Sequence, residues 1–108
     1  MNKIAGLFIS VFLVAVTLTW DAPLTRIDGS LIEPGELGYK VYCGGTSVAY
    51  GIPVDVGALQ EHPISIPGNY YCAVTAYNDA GESGFSKEIF FIIRAVPGAP
   101  TNLRLKML

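Results

Sequence analysis

Residues 67–78 read PGNYYCAVTAYN, and this stretch decides the fold. Pro67 and Gly68 open it with a turn signal, and Asn78, Asp79 and Gly81 close it with another. Between them Tyr70, Cys72, Val74 and Ala76 alternate with Tyr71, Ala73, Thr75 and Tyr77. Side chains on a strand point to opposite faces in turn, so this pattern predicts a long β-strand over 70–77.

Working outward, the same period recurs in shorter pieces. Residues 16–20 (VTLTW) place Val16, Leu18 and Trp20 on one face, and residues 39–43 (YKVYC) do the same with Tyr39, Val41 and Cys43. Shorter strands are expected at 53–56 and 63–66, where Pro is tolerated at a strand start or an edge. A last strand is expected near 88–93. Asp28-Gly29-Ser30, Glu33-Pro34-Gly35 and Gly44-Gly45 punctuate the chain between strands. No useful length carries a helical period. Many short strands between turn signals predict an all-β sandwich or barrel.

Composition narrows the function. A chain of 108 residues is one domain, and 51% apolar against 15% charged residues excludes a disordered chain. The formal net charge is −2 with no basic run, so the Lys/Arg footprint that nucleic acid needs is missing. One His and two Cys, with no CxxC, leave few ways to build a zinc or redox site. His62, between Glu61 and Pro63, reads as a strand-edge or loop residue; nothing brings a nucleophile and an acid to it, so no catalysis is assigned. Asp21, Asp28, Glu33, Glu36, Asp79 and Glu82 match no calcium loop and read as turn chemistry. Arg26-Ile27-Asp28-Gly29 is not an RGD sequence. No cofactor and no metal are expected.

Residues 1–15 read as a signal peptide: Lys3 precedes the apolar run IAGLFISVFLVA, which ends in a small residue at Ala15. The alternatives are a buried core segment and an uncleaved anchor. A membrane span needs ~20 apolar residues, and Thr17, Thr19 and Asp21 interrupt this one. The expected location is therefore secreted or periplasmic, with membrane attachment only if the segment stays uncleaved. Export also permits a disulfide.

Taken together, Leu18-Thr19-Trp20-Asp21-Ala22-Pro23, Gly38-Tyr39-Lys40-Val41-Tyr42 and residues 67–78 followed by Gly81-Glu82-Ser83 resemble a fibronectin type III domain. The chain is similar to the small bacterial and phage versions that carry a DGS loop after the Trp strand. The resemblance spans residues 16–94 and implies an immunoglobulin-like antiparallel β-sandwich. It places Trp20 in the core and makes Tyr70 the corner tyrosine, its hydroxyl bonding back to nearby backbone. It also makes the strands of Cys43 and Cys72 neighbours in one sheet, which implies a Cys43–Cys72 disulfide; the alternative is two buried free thiols.

Two departures accompany the resemblance. The family's strand ahead of the Trp strand has its place taken by residues 1–15. Conversely, residues 95–108 look like that opening strand, with Leu103, Leu105 and Met107 alternating with Arg104 and Lys106. Folding back onto its own sandwich is the expected course, since the six residues 95–100 can span ~20 Å. Completing a neighbouring molecule and forming a loose stub are the alternatives.

If Cys72 points inward, Tyr71, Ala73, Thr75 and Tyr77 point outward, as do Lys40 and Tyr42 beside them and Phe90 and Ile92 on the last strand. Tyr42, Tyr71, Tyr77, Phe90 and Ile92 are then expected to form an aromatic patch for an unidentified protein partner. The expected function is a non-enzymatic, secreted binding module working through that face and the turn at 78–83. The alternative is a structural subunit of a surface filament or a phage particle, self-associating by exchange of its tail.

Overall fold

The computed structural model describes residues 15–33 and 35–108, and among them the chain is entirely strand and loop. Nearly all of the expected signal peptide lies outside the described residues, as does Pro34 of the Glu33-Pro34-Gly35 turn. Seven strands follow in order: β1 (Val16–Thr19), β2 (Gly38–Gly44), β3 (Val54–Gly57), β4 (Glu61–Ile64), β5 (Gly68–Asn78), β6 (Gly81–Glu82) and β7 (Ile89–Ile93). All pairings are antiparallel. One sheet has only β1 and β4; the other runs β3-β2-β5-β6, with β7 also paired to β5.

The long alternating stretch is the centre of the larger sheet because it alone reaches past every neighbour. Its last two residues pair with β6, Gly68–Cys72 with β7, and Tyr71–Tyr77 with β2. The β2–β5 register sets Cys43 opposite Cys72, with Cα atoms 4.2 Å apart, and a disulfide joins them. Leu18, Val41 and Cys72 form the buried centre, with Val16, Trp20, Ile64, Tyr70 and Phe91 packed around it. Trp20 meets buried Tyr39 edge to face, ring centroids 5.7 Å apart. Tyr70 stacks on Phe91 and donates its hydroxyl to Ile66 O at 2.5 Å.

Between β6 and β7 the chain leaves regular strand geometry yet keeps its hydrogen bonds. Ser83 N donates to Ala76 O while Ser83 Oγ accepts from Ala76 N; Ser86 makes the same two bonds with Val74. Each serine hydroxyl thus stands in for a ladder carbonyl, so β5 loses no partner across the break.

Two expectations are corrected here. The strand expected at 63–66 lies at Glu61–Ile64, because Val16 and Leu18 take Ile64 and His62 as partners. Two further bonds between Trp20 and Gln60 extend this pairing upstream of Pro63. The tail, expected to close its own sandwich, forms no strand: Leu103 and Leu105 are 101% and 94% exposed. Pro97 and Pro100 bias the residues before them toward extended backbone, which disfavours the tight reversal that self-closure needs.

Candidate interaction surface

The outward face of the larger sheet collects the residues singled out above, in three groups set by the register. At one end Tyr71 of β5 lies opposite Phe90 of β7, rings 4.7 Å apart, with Ile92 on the same face. In the middle Tyr42 of β2 meets Phe85 edge to face at 4.9 Å, and Phe85 meets Tyr50 at 5.2 Å. At the other end Tyr77 lies opposite Gly38 and beneath the Lys40 ammonium, which sits 5.3 Å from its ring centroid. Glycine at 38 permits this approach, since a Cβ there would collide with the hydroxyl end of the Tyr77 ring.

The centre of the face is covered, not open. Ala73 and Thr75 point outward by register but are 1% and 3% exposed. Tyr42 and Phe85 lie over this part of the sheet, and Glu82 accepts from Thr75 Oγ1 at 2.6 Å. What remains at the surface is the half-exposed edge of Phe85 and Phe90, with Tyr42, Tyr71, Tyr77 and Ile92 half-buried between.

Every tyrosine hydroxyl of the middle and far groups is fixed by a carboxylate. Tyr42 donates to Glu82, Tyr50 to Glu88 and Tyr77 to Asp55, at 2.5, 2.5 and 2.8 Å. These bonds raise all three phenols, Tyr50 to about 12, because a phenolate would lose the bond and face a negative charge. Conversely, the carboxylates are held below their ordinary values. Glu82 is lowered by Thr75, Tyr42 and Lys40, whose ammonium lies 3.7 Å away. Asp55 is lowered first by Gly57 N–H and then by Tyr77. Glu88, lowered by Ser47, Tyr50 and Val48, also clamps the loop after β2, where Val48 takes a φ of 61° that a β-branched side chain resists.

Loop acids serve turns and loop anchoring. Asp28 accepts from Ser30 N and Oγ. Glu36 pairs with Arg26 and takes Asn78 Nδ2, tying the 24–37 loop to the end of β5. His62 lies on β4 and lines a cleft of about 310 Å³ between β4 and the β2–β3 edge, together with Val41, Cys43 and Val54.

Sequence reasoning missed Phe85, Tyr50 and Glu88 as parts of this surface, and took Glu82 only as part of the turn at 78–83. Phe85 and Tyr50 come from irregular segments, where no alternation assigns a face. The available signal was the number of aromatic residues flanking β5's partners.

With the geometry described, the comparisons are informative about fold. No protein-family model and no curated protein sequence matches the chain. A solution structure of a fibronectin type III domain derived from human KIAA0970 protein is similar at a TM-score of 0.58 and 23% identity, covering 90% of this chain and 77% of that one. The fold is thus a fibronectin type III-like, immunoglobulin-like β-sandwich.

Proposed function

We propose that the protein is a non-catalytic, exported interaction module whose working surface is the aromatic face of the larger sheet. The observation that carries this reading is the fixing of Tyr42, Tyr50 and Tyr77 by three separate carboxylates beside the half-exposed rings of Phe85 and Phe90. A partner then meets side chains whose rotamers are already set, so little ordering entropy is lost on binding. Tyrosine and phenylalanine supply large, rigid contact area of the kind that dominates binding hot spots. Export is supported by the Cys43–Cys72 disulfide, a bond that persists in oxidising compartments.

The test is site-specific photocrosslinking in the producing cells, with the photoreactive residue at position 90 or 85 and a control at exposed Leu59. A discrete adduct from 85 and 90, absent from 59, is expected. Adducts of equal pattern from all three positions, or none from the face, would overturn the reading.

A further inference from the structure

The smaller sheet is incomplete. β4 occupies one edge of β1, and among the described residues nothing pairs with the other. Edge strands are ordinarily blunted by proline, charge or a bulge. β4 carries Pro63, and β3 carries Asp55 opposite an irregularity in β2, but β1 reads Val-Thr-Leu-Thr with no such device. Beside its free edge a cleft of about 200 Å³ opens between the sheets, lined by Leu18, Trp20, Cys72, Val74 and Ile89. Trp20 Nε1 is buried without an acceptor among the described residues.

The tail has the complementary form. Residues 101–108 read TNLRLKML, with Leu103, Leu105 and Met107 on one face and Arg104 and Lys106 on the other, unpaired and exposed. Such a strand fits where one side meets a core and the other meets water. On β1 the two cations would lie beside Thr17 and Thr19, both exposed. On the outer edge of β7 they would lie beside Phe90 and Ile92, a poorer match.

Strand direction selects which copy donates it. β1 ends at Thr19, just before Trp20, which packs against Tyr39 at the start of β2, and begins at Val16, whose partner Ile64 lies near the Tyr70 end of β5. β7 starts opposite Cys72 and ends opposite Gly68, so it runs against β1 and delivers the tail to the pole where β1 begins. To lie antiparallel on its own β1, the tail must first return to the Trp20 pole. Continuing straight, it meets the Trp20 pole of a copy stacked above in the same orientation.

We propose that residues 101–108 of one copy add as an antiparallel strand to the free edge of β1 in the next, so that the protein assembles head to tail. Each copy donates one tail and accepts another, a heterologous contact that does not close and gives open chains. This inference does not depend on the aromatic face.

Sedimentation of the full chain over a wide concentration range tests it, beside Leu103→Asp/Leu105→Asp and beside wild type mixed with a synthetic peptide of residues 99–108. The expected result is a weight-average mass that at least doubles with concentration, falls to one chain in the double variant, and falls toward one chain with excess peptide. A wild type that stays one chain throughout would overturn the proposal. So would assembly that survives both the double variant and the peptide, which would place the contact in residues 1–15 or on the aromatic face. Phe90→Ala is expected to leave the assembly unchanged, which separates this proposal from the preceding one.

Discussion

The two sheets of this sandwich differ in how completely their polar groups are satisfied. In the larger sheet a disulfide joins the two central strands, two serine hydroxyls fill the break between β6 and β7, and carboxylates take three tyrosine hydroxyls. The smaller sheet has two strands of four residues, one unprotected edge and an indole N–H without an acceptor among the described residues. A sheet of two is at best marginal alone, so β1 and β4 persist by packing Leu18 and Ile64 onto the larger sheet. The difference teaches that side-chain and backbone polar groups are satisfied unevenly: the larger sheet is cross-linked and bonded within the chain, and the smaller one carries the bare edge to which the proposed strand would add.

The largest effect that would break this contrast is loss of the disulfide. Cys43 and Cys72 are 29 residues apart, and the chain-entropy model gives about 3–4 kcal/mol for closing such a loop. Urea titrations of the wild type and of Cys43→Ala/Cys72→Ala should differ by about that much, which for a small domain is a large share of the whole stability. A difference under about 1 kcal/mol would mean that the larger sheet does not depend on its cross-link.

Next comes the serine-filled break. Ser86→Ala leaves Val74 N–H, on the edge of β5 between β6 and β7, without its side-chain acceptor. A cost of about 1–2 kcal/mol is expected by the same titration. Hydrogen exchange should show Val74 losing protection while the amides of β1 are unchanged.

Titration reads the carboxylate–tyrosine bonds from both sides. Asp55, Glu82 and Glu88 are lowered in the fold, so their stabilisation is present above the unfolded carboxylate range and is lost as pH falls below that range and through their lowered folded values. Tyr42, Tyr50 and Tyr77 are raised, so theirs is present below the unfolded phenol value of 10.0 and is lost as pH rises, for Tyr50 through about 12. The urea midpoint should therefore decline at both ends. In Glu88→Gln the alkaline decline should shrink, and the Tyr50 phenolate should form at lower pH by ultraviolet absorbance. An unchanged Tyr50 titration would mean that Glu88 does not hold this hydroxyl.

Much of the larger sheet is legible in the sequence because its strands are long enough for a period of two to show. The alternation in 70–77 is β5, and applying the same rule to 39–43 puts Val41 and Cys43 on the side facing Leu18. The covering of Ala73 and Thr75 is not legible, since alternation says where a side chain points but not what lies above it. Phe85, which does the covering, sits in a segment without strand geometry. The position of β4 is hidden because four-residue strands carry too few alternations to fix register, and Pro63 marks the interior of the strand instead of its start. The tail shows a different limit. Its alternating pattern gives a strand's faces and its length gives a reach, but its direction relative to β1 appears only once β7 is seen to end at the pole where β1 begins.

The smallest expected effect sharpens the contrast most. Trp20→Phe removes part of a large side chain from the packing against Tyr39, which costs stability, and also removes the buried Nε1–H that has no acceptor, which restores some. The two terms oppose each other, and a net change within about 1 kcal/mol of zero is expected in dilute protein, where no neighbouring tail is bound. In the larger sheet no polar group of comparable burial can be deleted so cheaply, because each has a partner that would be stranded. Because Nε1 is enclosed by its own chain, the variant should assemble as the wild type does, and assemblies that weaken in it would mean that the added strand reaches the indole. A Trp20→Phe protein that is strongly destabilised as a single chain would mean that the packing of the indole against Tyr39 outweighs its unmet N–H, and that this site carries more of the fold than the contrast between the sheets implies.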